Sequence, residues 1–531
     1  MKRRILALIL MVALVAMTGC GSQGGEGSDD VNKHQIIIAN EFENVSGFDP
    51  ISGWGRSHNP LFQSKLVEVD GDSGIKGDLA ESYKANEDST VWTFNLRKDA
   101  YFSDGEQLTA KDVVFTVETC KEAATTVDMA IVEKVEAPDD FTVVMRLKES
   151  DSTFIYRVTN LAIIPSHAYD SATYTDNPIG SGPYMMKQWD KGQQLILVPN
   201  PYYYGAEPNI TRVVMLQKTH EAALTAVKTG EVDVAYADMV TATNEVEGYD
   251  LLSLSSVDNL GVLYPIQTPQ GKDKDNEEVG NAVTSDIAIR KAFSYAIDRD
   301  YYANTVANGF AKPSYSITTG SAVFNEETII TDTSLEKGKQ ILEEAGWIDS
   351  DGDGIREKDG VVAQFELYYS SNEEIRQMIA YAFSDLGKDL GIKVDAVGAS
   401  WDEIYKNWHS SPHVSANGSV SPDVLYTSTH SKGAGIGMSN PGVYKNTTVD
   451  KYMDEAKATA DLEEATKLWK KSQWDGETGS SMLGDCPVTW IMNKNHMYFI
   501  REGLNVGEQG VQAHESSGIQ ILNDVVNWSW E

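Results

Sequence analysis

A helix pattern followed directly by a strand pattern recurs along this chain, and this alternation restricts the fold more than any other feature. Residues 373–390 carry apolar side chains at helical spacing, Gly391 ends that pattern, and residues 392–397 then read as a strand. Repeated helix–strand units predict an α/β fold with mixed sheets. One hydrophobic core rarely serves more than ~250 residues, so a chain of 531 residues should form two or three lobes.

Capping residues and short apolar runs predict further elements. Thr109, Ser285 or Asp286, and Ser334 each precede an apolar pattern of helical spacing, and such side chains cap helix N-termini. Strands are predicted where apolar residues form a short run or alternate with polar ones, at 35–39, 92–97 and 141–147. Strands and helices therefore mix over the whole chain after its first thirty residues.

The charge balance and the cysteines exclude several classes of protein. Asp and Glu number 79 against 44 Lys and Arg, which gives a formal charge of -35. A surface this acidic repels phosphate backbones and anionic lipids, so no nucleic-acid partner and no basic membrane-binding face are expected. The chain has 3 cysteines, Cys20, Cys120 and Cys486, which are too few for a disulfide scaffold or a thiolate cluster. Cys120 and Cys486 are expected to be buried thiols.

The N-terminus has the pattern of an export signal. Residues 2–4 are basic and residues 5–17 are apolar, and a run of 13 is shorter than the ~20 that a spanning helix needs. Small residues before Cys20 resemble a bacterial lipobox, so 1–19 is predicted as a signal peptide and 20–34 as a flexible tether lipidated at Cys20. The alternative is an ordinary signal peptide with an incidental cysteine. We expect an extracytoplasmic body, anchored to the outer face of the cytoplasmic membrane or periplasmic.

Several aromatic residues and two arginines are candidates for contact with a ligand. Four aromatics are predicted in loops containing Gly, Ser or Pro, where an exposed ring can stack on a solute; these are Trp54, Trp401, Trp408 and Tyr426. The alternative is that they pack the lobes internally. Arg56 and Arg157 can bind a carboxylate through two parallel hydrogen bonds.

One acidic segment matches the start of a calcium loop. Asp349, Asp351 and Asp353 followed by Gly354 give the pattern D-x-D-x-D-G, in which alternating carboxylates supply the oxygens that calcium prefers. The twelfth position is Gly360 instead of Glu, although Glu357 and Asp359 lie nearby. The alternatives are a structural calcium site and a solvated acidic turn. No other cofactor is expected.

Motifs of common hydrolases are missing from the sequence. It contains no G-x-S-x-G elbow and no H-E-x-x-H, and no cysteine–histidine signature of a protease. We therefore expect a protein that is not an enzyme. The alternatives kept open are an exported lipoprotein hydrolase, and a ligand sensor or adhesin on the same fold.

Three segments together resemble one family of proteins. They are WTFNLRKDAYFSDGEQLTAKDVVFTVE (91–118), NPIGSGPYMMKQW (177–189) and SDIAIRKAFSYAIDR (285–299). In this order and spacing they are similar to the family 5 extracellular solute-binding proteins, the peptide/nickel group that supplies ABC importers. The resemblance extends over roughly residues 35–531.

The resemblance implies a particular domain arrangement. It implies a two-lobed periplasmic-binding-protein-like fold of type II, in the large cluster with an extra subdomain, and a hinge crossed twice by the chain. The boundaries it implies are residues 35–75, 185–283 and 487–531 for the main part of lobe I, 76–184 for the extra subdomain, and 284–486 for lobe II.

The resemblance also implies a function and a set of histidines. Such a protein captures a short peptide or a nickel or other metal chelate and delivers it to the permease subunits, and it is expected to be a monomer. Nickel-binding relatives use histidines from an N-terminal and a C-terminal loop, which points to His58 and His514, with His430 as a third candidate. The alternative is that each is a surface histidine. Val420 and Leu260 depart from residues common in relatives, so the solute stays open.

Overall fold

The structure is a computed structural model that describes residues 33–42, 47–56, 59–70, 74–123, 127–272, 276–514 and 517–531. The predicted signal peptide, Cys20 and most of the predicted tether lie outside these residues, as does His58. His34, the last residue of the predicted tether, contacts the body, since its carbonyl accepts from the amides of Thr211 (2.8 Å) and Arg212 (3.1 Å). No helix among the described residues has the length and apolar character needed to cross a membrane.

The strands of the described residues are β1 (Gln35–Asn40), β2 (Val67–Asp70), β3 (Gly74–Gly77), β4 (Ala80–Ala85), β5 (Val91–Leu96), β6 (Val132–Asp139), β7 (Thr142–Leu147), β8 (Tyr184–Asp190), β9 (Gln194–Pro199), β10 (Arg212–Gln217), β11 (Val234–Ala237), β12 (Tyr249–Leu254), β13 (Asn259–Leu263), β14 (Gly271–Lys272), β15 (Glu278–Val279), β16 (Ala311–Pro313), β17 (Glu357–Lys358), β18 (Val361–Val362), β19 (Gln364–Ser370), β20 (Lys393–Ala399), β21 (His413–Asn417), β22 (Val488–Lys494), β23 (His496–Arg501), β24 (Leu504–Asn505) and β25 (Ser529–Trp530).

The α-helices are α1 (Ala110–Ala123), α2 (Phe154–Val158), α3 (His220–Lys228), α4 (Ile287–Ala296), α5 (Arg299–Tyr301), α6 (Leu335–Glu344), α7 (Glu374–Leu390), α8 (Trp401–Asn407), α9 (Asp423–Thr429), α10 (Thr447–Ala458) and α11 (Leu462–Gln473). Short 3-10 helices occur at Pro50–Ser52, Tyr174–Asp176, Thr241–Thr243, Glu326–Thr328, Ser431–Gly433 and Ile519–Asn527, and a π-helix occurs at Tyr302–Val306.

A seven-stranded sheet forms the framework of the first lobe, in the order β12-β23-β11-β1-β10-β9-β8. Strand β1 lies between β10 and β11 and is parallel to both, so α3 crosses over it between those two strands. Ile36 and Ile38 on β1 are buried in an apolar cluster together with Trp54 and Trp528. The N- and C-terminal parts of the body therefore share one core.

A six-stranded sheet forms the framework of the second lobe, in the order β16-β22-β13-β21-β19-β20. Helix α7 packs against β19 and β20 through Ile379, Ala380 and Phe383, which are all fully buried. The helix ends as the sequence predicts, because Gly391 adopts the left-handed conformation (φ 76°) that closes a helix C-terminus.

A four-stranded antiparallel sheet, β4-β5-β7-β6, forms a third body with its own apolar core. Helix α1 packs against β6 and β7, and its first turn is fixed by a bond from the Thr109 amide to the Asp112 carboxylate (2.9 Å). This body lies inside the segment 76–184 that was assigned to an extra subdomain. The exact domain boundaries stay predictions.

Most predicted elements are confirmed, and two of the predicted loop positions are wrong. Asp286 and Ser334 cap α4 and α6 with their side chains. Trp401 and Tyr426 were expected in loops, but Trp401 is the first residue of α8 and Tyr426 lies within α9. Each of these two helices has 7 residues, which is too short for a periodic apolar pattern to reveal. Cys120 and Cys486 are buried free thiols, as predicted.

Candidate solute-binding crevice and hinge

The chain crosses between the two large sheets twice. The first crossing runs from the end of β12 to the start of β13, and the second from the end of β22 to the start of β23. Leu254 pairs with His496 on the first sheet, and Asn259 pairs with Asn493 on the second, so the two crossings lie side by side. Two adjacent crossings of this kind form a hinge.

The carboxyl ends of the parallel strands flank this hinge. On the first sheet β1, β10 and β11 are parallel, and β11 ends beside the start of β23. On the second sheet β19, β20 and β21 are parallel, and β21 ends beside the start of β13. In open α/β sheets ligands bind in the crevice outside the carboxyl ends of the strands. The candidate site is therefore the crevice between these two edges, with the hinge at its base.

The hinge contains a buried carboxylate with three basic partners, which we call the hinge cluster: Asp258, Lys494, His496 and His514. Asp258 is fully buried. One of its oxygens lies 3.2 Å from Lys494 Nζ and 3.1 Å from His496 Nε2, and the other contacts His514 Nδ1. The four residues come from both crossings and from the C-terminal segment, so the Asp258 carboxylate connects these three segments of the chain.

Electrostatics keep the Asp258 carboxylate charged. Burial alone would raise its pKa, but Lys494, His514 and His496 outweigh burial and hold the pKa well below its usual range. Burial lowers the pKa of His496, and the neighbouring Asp258 opposes that shift without cancelling it. His496 is thus expected to be a neutral hydrogen-bond donor at pH 7, with Lys494 as the compensating charge.

Backbone and hydroxyl hydrogen bonds fix the same three segments. The Gln512 amide donates to Ser255 O (2.8 Å), and the Val257 amide donates to Gln512 O (2.9 Å). Ser256 Oγ donates to Lys494 O (2.6 Å) and accepts from the Asp258 amide (2.9 Å). The C-terminal segment is therefore an integral part of the hinge.

A tryptophan lies at the crevice edge of the second lobe. Trp401 follows β20 and is partly exposed, and Arg376 Cζ lies 4.9 Å from the centre of its ring. Arg376 is itself held by bonds to Glu373 (2.7 Å) and to Val414 O (2.7 Å). Burial would raise the pKa of Glu373, but Arg376, with a smaller contribution from Lys494, lowers it. The Trp401 ring also lies 5.6 Å from the Tyr405 ring, centre to centre, so a solute would stack on the part of Trp401 that stays exposed.

Two other predicted aromatics are buried. Trp54 is 2% exposed, contacts Phe48 edge-on (4.8 Å between ring centres) and donates from Nε1 to Pro60 O (2.8 Å). Trp408 packs on Tyr405 (4.8 Å) and donates from Nε1 to His409 Nε2 (3.0 Å). Both rings therefore pack against other residues of the protein.

Tyr426 and His430 form a stacked pair on α9 and at its C-terminal end, with ring centres 4.2 Å apart. His430 is 2% exposed, its Nδ1 accepts from the Lys432 amide (3.0 Å), and its Nε2 lies 3.3 Å from Asp454 Oδ1. Lys457 Nζ lies 4.4 Å from the centre of the Tyr426 ring. The pair is thus embedded among charged side chains of the second lobe.

The three histidines predicted as nickel ligands are not seen as one group. His58 lies outside the described residues, and His430 and His514 pair with different acidic side chains. Over the described part of the chain, neither belongs to a set of three His, Cys, Asp or Glu side chains close enough to share one ion. Ligation of a metal by these residues stays a prediction.

The two candidate arginines differ in their surroundings. Arg56 is exposed in the turn after the first 3-10 helix, where its amide donates to Gly53 O (3.3 Å). Arg157 is already engaged, with Nη1 bonded to Asp128 O (3.2 Å) and Nη2 at 3.8 Å from Asp423 Oδ2. Arg157 would have to leave these partners to bind a solute carboxylate.

The predicted calcium loop does gather its carboxylates. Asp349, Asp351, Asp353 and Glu357 each place one oxygen within 4.8 Å of the others, and the first three are exposed. Glu357 is one of the two residues named as substitutes for the missing twelfth ligand. Four carboxylates at this spacing suit a hard cation with oxygen ligands.

Sequence reasoning missed the hinge cluster. Asp258 and Lys494 carry no motif, and their meeting depends on strands that are more than two hundred residues apart in the chain. Their shared feature is position in the fold, because Asp258 directly precedes β13 and Lys494 is the last residue of β22.

Two lobes joined by a double crossing, with strand ends facing a crevice, define a class of proteins that enclose small molecules. A model of the bacterial extracellular solute-binding proteins, family 5 middle, matches residues 74–432. The chain belongs to this family of solute-binding proteins.

Similar proteins cover nearly all of the chain. Protein XP55 of Streptomyces lividans is 30% identical over 506 residues, which cover 92% of this chain and 88% of that protein. The oligopeptide-binding protein AppA of Bacillus subtilis is 28% identical over 547 residues, which cover 95% of this chain and 96% of that protein.

Solved structures share the fold. NikZ of Campylobacter jejuni in complex with Ni(L-His) superposes with a TM-score of 0.77 at 22% identity, covering 94% of this chain and 100% of NikZ. AppA of Bacillus subtilis in complex with a nonapeptide gives 0.71 at 22% identity, covering 94% of this chain and 99% of AppA. The two-lobed fold predicted from the sequence is thereby confirmed.

Proposed function

We propose that this protein is the solute-binding component of an ABC importer, and that it captures a short peptide or a metal chelate in the crevice and delivers it to the permease. The observation that carries the proposal is the double crossing flanked by the carboxyl ends of both sheets. This geometry lets two rigid lobes close on a solute, and a solute that gains contacts only in the closed form shifts the protein toward it. The solute would leave the crevice chemically unchanged.

Two kinds of solute have support from relatives. AppA binds oligopeptides by name, and the NikZ structure holds Ni(L-His). The full-length protein should therefore be titrated with random-sequence di- to nonapeptides, with nickel chloride, and with nickel plus L-histidine. A bound solute at 100 times its Kd stabilises the folded state by about 2.7 kcal/mol, which thermal unfolding detects. The absence of any shift over the whole panel would contradict the proposal.

Trp401 supplies a site-directed version of this test. Trp401→Ala should weaken binding of whichever solute is found by about tenfold, which corresponds to about 1.4 kcal/mol, because a stacking surface is lost. Tyr202→Ala is the matched control, since Tyr202 is an exposed aromatic residue outside the crevice edges defined above. Equal affinities of the two variants would remove Trp401 from the site.

Lipid attachment at Cys20 is a separate part of the proposal. It is supported by the basic, apolar and small-residue pattern of residues 2–20. In the bacterial host, the wild type should incorporate labelled fatty acid and sediment with membranes, whereas Cys20→Ser should do neither. An equally labelled Cys20→Ser variant would show that the lipid is attached elsewhere.

A further inference from the structure

The four-stranded body and the second lobe meet at a contact remote in sequence from the hinge. Ser152, in the loop after β7, donates from its amide to Lys457 O (2.9 Å) and from Oγ to Ala456 O (2.9 Å). The last carbonyls of a helix have no partner within the helix. Ser152 therefore satisfies two carbonyls at the C-terminal end of α10, from a different body of the protein.

Charged side chains pair across the same contact. Asp151 is fully buried and places Oδ2 at 3.3 Å from Lys457 Nζ. In the opposite direction, Arg157 Nη2 lies 3.8 Å from Asp423 Oδ2. Each side thus contributes one acid and one base, and the pairs are complementary. We call Asp151, Ser152, Arg157, Asp423 and Lys457 the closure network.

Lys457 is the centre of the network. Its Nζ also lies 3.1 Å from Asp423 Oδ1, and its side chain is 12% exposed. Burial alone would lower the pKa of Lys457, but Asp423 and Asp151 outweigh burial and raise it. Asp151 Oδ1 is separately fixed by the Thr153 amide (3.0 Å) and hydroxyl (2.6 Å), so its other oxygen is aimed at Lys457.

We propose that the closure network is a latch that holds the two lobes together without a solute. Opening the crevice separates the loop after β7 from α10, which breaks the two hydrogen bonds of Ser152 and both crossed ion pairs. A solute must then enter through the minor open form, and the apparent affinity equals the intrinsic affinity multiplied by the fraction of protein that is open. This inference concerns the solute-free protein and does not depend on the identity of the solute.

The test compares Lys457→Met with Lys451→Met in the solute-free, full-length protein. Methionine keeps much of the apolar stem of Lys457 and removes the charge that pairs with Asp151. Lys451 is the matched control because it lies on the same helix, is 71% exposed and pairs with Glu455 of that helix. Hydrogen exchange of the peptide containing Ser152 reports the latch directly, since that amide is protected by Lys457 O.

Lobe separation is measured in parallel by the distance between spin labels. The exposed positions Glu133, on the four-stranded body, and Glu463, on α11, are changed to cysteine and labelled in chains that also carry Cys20→Ser. Lys457→Met is expected to speed exchange at Ser152 by at least tenfold and to add a longer distance, while Lys451→Met changes neither.

Two outcomes would overturn the latch. Unchanged exchange and unchanged distances in Lys457→Met would show that the network does not hold the lobes. Faster exchange with unchanged distances would show a local contact without a role in closure. If Lys457→Met folds poorly, Ser152→Ala is the second variant, because it removes only the bond to Ala456 O. It should change the exchange rate and the label distance in the same direction, by a smaller amount. Failure of the solute panel leaves these solute-free readouts intact, so the two proposals fail separately.

Discussion

The hinge cluster and the closure network each place a fully buried aspartate beside a lysine, at 3.2 Å for Asp258 and Lys494 and at 3.3 Å for Asp151 and Lys457. The partners of Asp258 belong to the second crossing and to the C-terminal segment, and backbone hydrogen bonds connect the C-terminal segment to the first crossing. The ion-pair partner of Asp151 is Lys457, which belongs to the second lobe, and that lobe is connected to the first one through the hinge. The two aspartate–lysine pairs therefore have different roles. At the hinge the pair contributes to the stability of the fold, whereas at the latch it contributes to the balance between open and closed forms.

The largest expected effect is on the hinge. Asp258→Asn removes the carboxylate while Lys494 and both histidines remain, and a buried ion pair that loses one partner costs about 3 kcal/mol or more. We expect the free energy of unfolding in urea at pH 7 to fall by about 3 kcal/mol. Asp250→Asn, at an exposed acid on β12, is the control. A decrease of less than about 1 kcal/mol in the free energy of unfolding would contradict the stabilising role assigned to the hinge cluster.

Acid should remove this difference between the wild type and Asp258→Asn. The pKa of Asp258 is lower in the folded protein than in the unfolded chain, so its stabilising contribution is present above the unfolded value and is lost as pH falls through the folded one. The difference should hold from pH 8 to about pH 4 and shrink below that. Urea unfolding across this range measures it, and a difference that shrinks already at pH 6 would point to the histidines instead.

A buried histidine that pairs with no carboxylate among the described residues sharpens the comparison. His496 faces Asp258, which opposes the effect of burial, but His413 is buried near Arg376, and burial together with Arg376 lowers its pKa to about 3. Below about pH 6.5 the unfolded chain takes up a proton at His413 that the folded protein does not, so the free energy of unfolding decreases as the pH is lowered. By pH 5 this should cost about 2 kcal/mol.

His413→Asn isolates that contribution. The variant should lose about 2 kcal/mol less than the wild type between pH 7 and pH 5, as measured by urea unfolding at each pH. His34→Asn, at an exposed histidine, should follow the wild type. If the free energies of unfolding of the wild type and of His413→Asn change in parallel with pH, the folded protein takes up a proton at His413 as readily as the unfolded chain does.

The sequence predicted what depends on local pattern and missed what depends on distant contacts. The apolar face of α7 and the caps Asp286 and Ser334 are readable because a helix repeats every 3.6 residues and its first turn needs an acceptor. Asp258 shows no such pattern, because its partners come from β22, β23 and the C-terminal segment. The seven-residue helices around Trp401 and Tyr426 were missed since two turns are too few to define a period. Spacing along the chain carries no information on pairing between lobes, so the partners of the candidate site residues could not be predicted.

The predicted calcium loop gives the smallest expected effect and a third case for the comparison. The hinge and the latch neutralise their carboxylates with lysines of the chain. Among the described residues, no ion pair with a lysine, arginine or histidine is formed by Asp349, Asp351, Asp353 or Glu357. A cation from solution is then the available counter-charge, and extracellular calcium sites typically bind in the range of about 0.1–1 mM.

Calcium should therefore stabilise the protein slightly. At ten times its Kd it would add about 1.4 kcal/mol to the free energy of unfolding, and a chelator would remove this gain. Terbium in place of calcium should luminesce on excitation of Trp347, two residues before Asp349. Asp351→Asn should abolish both signals, while Asp359→Asn, at an acid outside the group of four, should keep them. Terbium luminescence of equal strength in the two variants would place the ion elsewhere. The four carboxylates would then form a solvated acidic turn whose charge is compensated by water, whereas Asp258 and Asp151 depend on a lysine.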